Sequence, residues 1–172
     1  RSAFVLDSFP DQATRLNRLQ RLKSALQASE ERIADAISSD FGNRSRHETA
    51  IAETFMVLSA IAHARKHLGR WMKTRRVATS FHYLPGSSRI MPQPLGVIGI
   101  VSPWNYPLQL ALAPAIAALA AGNRVLIKPS ELTPAFSAVL ARMMVEHFAA
   151  DECAVVTGDA EVAKEFVRLP FD

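Results

Sequence analysis

Two short polar segments, Ser102-Pro103-Trp104-Asn105 and Lys128-Pro129-Ser130-Glu131, hold the side chains best suited to bind and polarise a small molecule. Each follows directly on an apolar run, Val97–Val101 and Val125–Ile127. Asn105 carries an amide donor in backbone stiffened by Pro103 and Pro107, which suits a fixed hydrogen bond to developing negative charge. Lys128 offers three ammonium donors, and Glu131 offers acceptors matched to vicinal hydroxyls. Taken singly, each has a plainer reading: Pro103 and Pro129 as strand terminators, Lys128 as a surface charge, Asn105 as a helix cap.

Other reactive side chains carry less. Cys153 is the only thiol, but it leads into the apolar run Ala154-Val155-Val156, away from the carboxyl end of any strand, and reads as structural. His63 and His67 have metal-ligand spacing on a helix. Arg65, Lys66 and Arg70 surround them with positive charge, so a solvated basic face is the better reading. His47-Glu48 fits a helix start better than an acid–base pair. Asn43-Arg44-Ser45 matches a glycosylation sequon, and in the absence of a secretion signal it reads as chance.

Periodicity predicts the elements that must hold the two segments. Leu16, Leu19, Leu22 and Leu26 predict a helix over Asp11–Ala28. Ser29 reads as the N-cap of a second helix, with Glu30 and Glu31 in its first turn, Ile33, Ala36 and Ile37 on its apolar face, and Gly42 as the stop after Phe41. A third helix is expected from about Glu48 to Leu68, with Ile51, Phe55, Leu58 and Ala62 on one side and Gly69 ending it. Val77, Thr79, Phe81 and Tyr83 then alternate, Pro85-Gly86-Ser87-Ser88 turns, and Arg89–Met91 resumes: a hairpin whose open edges suit an oligomerisation arm.

From Val97 the chain alternates strand and helix. Strands are expected at Val97–Val101, Val125–Ile127 and Ala154–Val156. Helices are expected from Pro107 to Gly122, from a Thr133 cap with Pro134 at the first helical position to Phe148, and from an Asp159 cap to about Leu169. This predicts an α/β fold with a partial, Rossmann-like parallel sheet and helices on both faces. The expected division is a helical segment at 1–74, a hairpin at 75–94 and a partial dinucleotide-binding domain at 95–172. In open parallel sheets ligands bind outside the carboxyl ends of the strands, where both polar segments fall.

Composition bounds the rest. Of 172 residues, 49% are hydrophobic and 21% charged, which is globular and argues against disorder. One cysteine excludes an internal disulfide framework and a Cys-based zinc site, and the default compartment is a reducing cytoplasm. Arg1 in place of Met suggests a trimmed or omitted N-terminus. Residues 1–82 carry +6 and residues 83–172 carry −2. No continuous basic run accompanies that excess, so solvated helix faces are favoured and no nucleic-acid partner is expected. The uncharged window between Arg89 and Arg124 is broken by five prolines, and its cleanest stretch, Leu110–Gly122, falls short of the ~18 residues of a membrane span.

The order and spacing of Pro94-Leu95-Gly96-Val97, Pro103-Trp104-Asn105, Ala121-Gly122-Asn123 and Lys128-Pro129-Ser130-Glu131-Leu132-Thr133-Pro134 resemble the aldehyde dehydrogenase superfamily. Asp40-Phe41-Gly42, followed by Glu48 and Glu53, extends the resemblance over nearly the whole chain. The wording of Leu95–Val101 and Asn105-Tyr106-Pro107-Leu108 is most similar to the dimeric, class-3-like branch that includes bacterial coniferyl aldehyde dehydrogenases.

The resemblance implies oxidation of an aldehyde, of aromatic, coniferaldehyde-like type, to a carboxylic acid. It implies that Asn105 helps form an oxyanion hole, that Lys128 and Glu131, with Ser130 beside them, bind the adenosine ribose of a nicotinamide cofactor, and that Ser102, Pro103 and Trp104 form a wall against it. A carboxylate near the ribose favours NAD over NADP, although members of this branch often accept both. The family's nucleophilic cysteine, glutamate base and phosphate-approaching glycine turn have no counterpart in residues 1–172. An N-terminal fragment, inactive by itself and joining a homodimer through hairpin 75–94, is therefore expected. The alternative is a naturally short, catalytically dead module that binds nucleotide or dimerises.

Overall fold

Leu19, Leu22, Leu26, Ile33 and Ile37 are fully buried along one side of a single 29-residue helix, α2 (Gln12–Asp40), preceded by a short α1 (Ser2–Leu6). The structure, a computed structural model, describes residues 1–172. The helix break expected at Ser29 is absent. Ser29 is fully buried and its hydroxyl accepts from Arg32 Nη2 at 2.9 Å. A serine satisfied inside the helix no longer competes for backbone groups, and the buried Leu26 and Ile33 on either side favour continuation. The expected stop at Gly42 holds: Gly42 and Asn43 have φ of 63° and 83°, and Asn43 N donates to Ser38 O at 2.8 Å.

The next helix also differs from expectation. α3 (Arg46–Thr49) passes through a π-helical segment, Ala50–Phe55, directly into α4 (Met56–Trp71). The wider i→i+5 winding rotates the side chains away from the register that an α-helical period assigns. Ile51 and Phe55, expected inward, are 68% and 61% exposed, and the core is filled by Val57, Ile61, Ala64 and Leu68. Gly69 does not end the helix. A Cβ there would stand 3.1 Å from Gln12 Nε2, so this glycine serves the close approach of α2.

The hairpin forms, with shorter strands than expected. β1 (Arg75–Val77) pairs antiparallel with β2 (Ser88–Ile90), Arg75 opposite Ile90. Phe81 and Tyr83 lie in an exposed 3₁₀ turn, Phe81–Tyr83, instead of on a strand. Ser88 N donates to Thr79 Oγ1 at 2.8 Å, and this side-chain bond takes the place of a further ladder bond.

β3 (Val97–Val101), β4 (Arg124–Lys128) and β5 (Cys153–Val155) form a parallel sheet in the order β3-β4-β5. β5 begins one residue before the expected strand and takes in the buried Cys153. The crossover helices α5 (Pro107–Ala120) and α6 (Pro134–His147) join Ile100, Val125 and Ile127 with α2 and α4 in one core. α7 (Ala160–Arg168) and the residues after it return to the other face. There the Phe171 ring lies against Gly99, where a Cβ would come within 2.5 Å of it. Helices therefore cover both faces, as the strand–helix alternation predicts. No helix is long and apolar enough to cross a membrane.

Two polar anchors set the strand ends. Asn123 Oδ1 accepts from Leu95 N at 2.7 Å and Gly96 N at 3.0 Å, which pins the start of β3 beside that of β4. Arg15 Nη1 donates to Ala121 O at 2.8 Å and closes the end of α5. Gly122, with φ of 92°, leaves room for that guanidinium, since a Cβ would stand 2.7 Å from Arg15 Cζ.

Candidate functional site at the strand carboxyl ends

Val101 is the register partner of Lys128, so the two polar segments leave the sheet side by side. Ser102 N donates to Lys128 O at 3.1 Å and continues the ladder one step beyond β3. Ser102 is 2% exposed and its hydroxyl has no hydrogen-bond partner. A buried, unsatisfied hydroxyl at a strand terminus is a polar group held ready for a ligand or a water.

Lys128 is 1% exposed. Its Nζ donates to Pro129 O at 2.9 Å and to Glu131 Oε2 at 3.4 Å, which leaves one ammonium donor uncommitted. Glu131 is exposed, and its carboxyl lies below the ordinary glutamate range. The cause is first its own backbone N–H and then Lys128, acting against slight burial and Asp159. Glu131 is therefore ionised at neutral pH. Ser130 shapes the loop: its hydroxyl accepts from Leu132 N at 3.2 Å and its carbonyl from Ser137 Oγ at 3.1 Å.

A groove of about 350 Å³ opens here, walled by Ser130, Glu131 and Pro134 on one side and by Thr157, Gly158 and Asp159 on the other. It spans the carboxyl ends of β4 and β5, as open parallel sheets place their ligand crevices. Thr157-Gly158-Asp159 was not among the sequence candidates. The same carboxyl-end rule, applied to the third strand, would have found it.

Asn105 and Trp104 lie apart from that groove. Trp104 is half exposed and packs on Phe41 with ring centroids 6.0 Å apart, while Pro103 and Asn105 are exposed. Asn105 borders a second, shallower depression with Phe41, Asn43, Arg44, Glu48 and Tyr106. The structure thus groups Ser102, Lys128, Ser130 and Glu131 at the sheet rim and sets Trp104 and Asn105 toward α2 and α3.

The Asn105 segment is held from beneath. Fully buried Glu53, in the π-helical turn, accepts from Leu108 N at 2.7 Å and Gln109 N at 3.2 Å, the first free amides of α5. Burial pushes the Glu53 carboxyl up; those two donors and Arg44 oppose it. Thr133 does not cap α6 with its side chain; Asp40 does so instead. The Thr133 hydroxyl is turned to Ser130 O at 3.4 Å.

The remaining candidates are accounted for. Cys153 is buried, its Sγ 3.7 Å from Met144 Sδ, and burial pushes its thiol up to about 12. The His63 and His67 rings lie tilted against each other with centroids 4.2 Å apart, and no group of three metal-ligating side chains exists in the chain. The largest concavity, about 670 Å³, lies away from the sheet between α2 and residues 46–54. Two of its charged residues pair with groups outside it, Arg46 with Asp35 and Arg32 with Glu146.

Comparison with known proteins agrees with this geometry. Residues 8–170 match the aldehyde dehydrogenase family. The chain is 41% identical over 172 residues to a Pseudomonas aeruginosa protein named probable coniferyl aldehyde dehydrogenase, covering all of this chain and 36% of that protein. It is 44% identical over 159 residues to the coniferyl aldehyde dehydrogenase of Pseudomonas sp. strain HR199, covering 92% of this chain and 32% of that protein. The substrate-bound structure of Staphylococcus aureus AldH superposes with a TM-score of 0.94 at 36% identity, over 99% of this chain and 37% of that one. The chain spans about a third of the length of these relatives. With the parallel sheet, the paired rim segments and a match over nearly every residue, the chain belongs to the aldehyde dehydrogenase family.

Proposed function

We propose that this chain is the cofactor-binding part of an NAD(P)-dependent aldehyde dehydrogenase that oxidises aromatic, coniferaldehyde-like aldehydes to carboxylic acids. The observation that carries the reading is the juxtaposition of Ser102 and Lys128, joined by a backbone hydrogen bond at the carboxyl ends of adjacent parallel strands.

The residues present fit a nicotinamide dinucleotide. Glu131 sets an ionised carboxylate in the wall of the groove, Lys128, bonded to it, keeps a free ammonium donor, and Ser102 on the adjacent strand end brings an unsatisfied hydroxyl. Glu131 would accept from the ribose hydroxyls, and its charge would repel a 2′-phosphate, which favours NAD. The cofactor, when bound, supplies the hydride acceptor.

Asn105 supplies the chain's own part in the chemistry. Its exposed side-chain amide would donate to the aldehyde oxygen as negative charge develops on it during thiolate attack. That thiolate must come from outside residues 1–172, since Cys153 is buried and fully protonated at neutral pH. The resemblance of Leu95–Val101 and Asn105–Leu108 to the coniferaldehyde-oxidising branch, together with the relatives at 41% and 44% identity, supports the aromatic substrate class. The exposed hairpin, with Phe81, Tyr83 and Leu84 at its tip, supports a homodimer through residues 75–94.

The test is nicotinamide reduction by the protein as its source makes it, with coniferaldehyde and NAD⁺, in wild type and Asn105→Ala. Loss of one oxyanion donor is expected to lower kcat by about 10²- to 10³-fold. An unchanged kcat would overturn the role given to Asn105.

A further inference from the structure

Asn105 has no side-chain hydrogen bond of its own, yet its backbone is gripped on both sides. Arg44 Nη1 donates to Asn105 O at 2.8 Å. Three and four residues on, Leu108 N and Gln109 N donate to Glu53 Oε2. The two grips are themselves joined, because Arg44 Nη1 stands 3.5 Å from Glu53 Oε1. The Arg44 side chain is 5% exposed, and its guanidinium lies 4.9 Å from the Phe41 ring centroid and 4.7 Å from that of Tyr106. Its Nη2 donates to Glu48 Oε1 at 2.8 Å. A planar guanidinium between two rings, hydrogen-bonded to a carbonyl and one carboxylate and paired in charge with a second, is closely held, and a lysine could not reproduce that fork.

The placement of Glu53 is the work of the π-helical segment. It turns Ile51 and Phe55 outward and Glu53 fully inward, against the start of α5. Burying a carboxylate among apolar helices is costly, and two amide donors on Oε2 with one guanidinium 3.5 Å from Oε1 offset part of that cost. None of these groups lies on the sheet-rim groove beside Glu131.

We propose that Arg44 and Glu53 are positioning residues for Asn105: together they fix the turn between β3 and α5 so that the Asn105 amide is already aimed before an aldehyde arrives. The inference rests on the reading of Asn105 as an oxyanion donor and adds the residues that make that donor effective. Preorganisation of this kind matters because a displacement of about 1 Å at a reacting group can cost roughly 10²-fold in rate.

The test is a double-mutant cycle in the protein as its source makes it, with coniferaldehyde and NAD⁺ as substrates and circular dichroism to confirm folding. Arg44→Lys keeps the charge and loses the fork; Glu53→Gln keeps an acceptor and loses the charge. Each is expected to lower kcat by about 10- to 100-fold with KM for NAD⁺ unchanged within about twofold. In an Asn105→Ala background the same substitutions should lower kcat by less than about twofold, because they act only through the amide already removed.

Full retention of the Arg44→Lys and Glu53→Gln effects in that background would overturn the proposal while leaving Asn105 as the donor. An Asn105→Ala variant with wild-type kcat would instead overturn the reading on which the proposal stands. Failure of both single variants to fold would also overturn it, since a clamp confined to one turn leaves the helical core intact.

Discussion

Asp40, the last residue of α2, caps α6 from 95 positions away: its Oδ1 accepts from Ala135 N at 3.0 Å and its Oδ2 from Phe136 N at 2.8 Å. The cap fastens the far end of the Lys128–Thr133 loop to the longest helix of the molecule. Loop and helix are thereby tied together at the start of α6, beside the groove that Glu131 and Pro134 line.

Replacing Asp40 by Ala is expected to destabilise the fold by ~1–2 kcal/mol, the usual worth of an N-cap, and to lower Tm. Thr133→Val, which removes the hydroxyl and keeps the shape, should have a smaller effect, because the Thr133 side chain caps nothing. Thermal unfolding of the two variants side by side checks the ranking. A Thr133 variant as damaged as Asp40→Ala would contradict the assignment of the cap.

Glu152 gives a pH dependence of known sign. Burial alone would raise its carboxyl, but Arg21 and Arg18, at 2.8 and 3.1 Å, more than offset that and hold it below its ordinary value of 4.5. Folding thus favours the ionised form. Its contribution is fully present above about pH 4.5 and is lost as pH falls through the lowered value. Glu152→Gln should be less stable than wild type at pH 7, and the gap should close as the solution is acidified below that range. Denaturant titrations across pH decide it; a gap independent of pH would count against the ion-pair network.

Cys153 should be inert in the folded protein. With its thiol pushed up to about 12, the thiolate fraction at pH 8 is on the order of one in ten thousand. Iodoacetamide should leave the peptide containing Cys153 unmodified under native conditions and label it after denaturation, as mass spectrometry would show. Rapid native labelling would mean that β5 opens readily.

Much of this architecture was legible in the sequence. The parallel strands, the helices starting at Pro107 and Pro134 and the Asp159 cap follow from local pattern: apolar runs, proline at the first turn, a carboxylate before a helix. What escaped was non-local. Ser29 looks like a cap because it resembles one locally, and only the burial of its neighbours decides against it. The inward face of α4 was misassigned because a π-helical turn leaves no mark in an α-helical period. At the site, Lys128, Ser130 and Glu131 stood out by spacing; Arg44 did not, and Asp40 entered only within the family-like Asp40-Phe41-Gly42, since each acts on backbone 61 or more positions away. Glu53 entered only through family resemblance; its burial beneath α5 is visible only in three dimensions.

The central claim is that the rim beside β4 binds the cofactor, and calorimetric titration with NAD⁺ tests it most directly. Wild-type protein as its source makes it, Lys128→Ala and Glu131→Ala would be titrated in parallel, with NADP⁺ as a second ligand. Hydrogen bonds to charged groups are worth about 1.5–3 kcal/mol, so each substitution should weaken NAD⁺ binding by roughly tenfold or more. Glu131→Ala should also narrow the preference over NADP⁺ by removing the charge that repels a 2′-phosphate. Undiminished NAD⁺ affinity in both variants would contradict the placement of the cofactor at this rim.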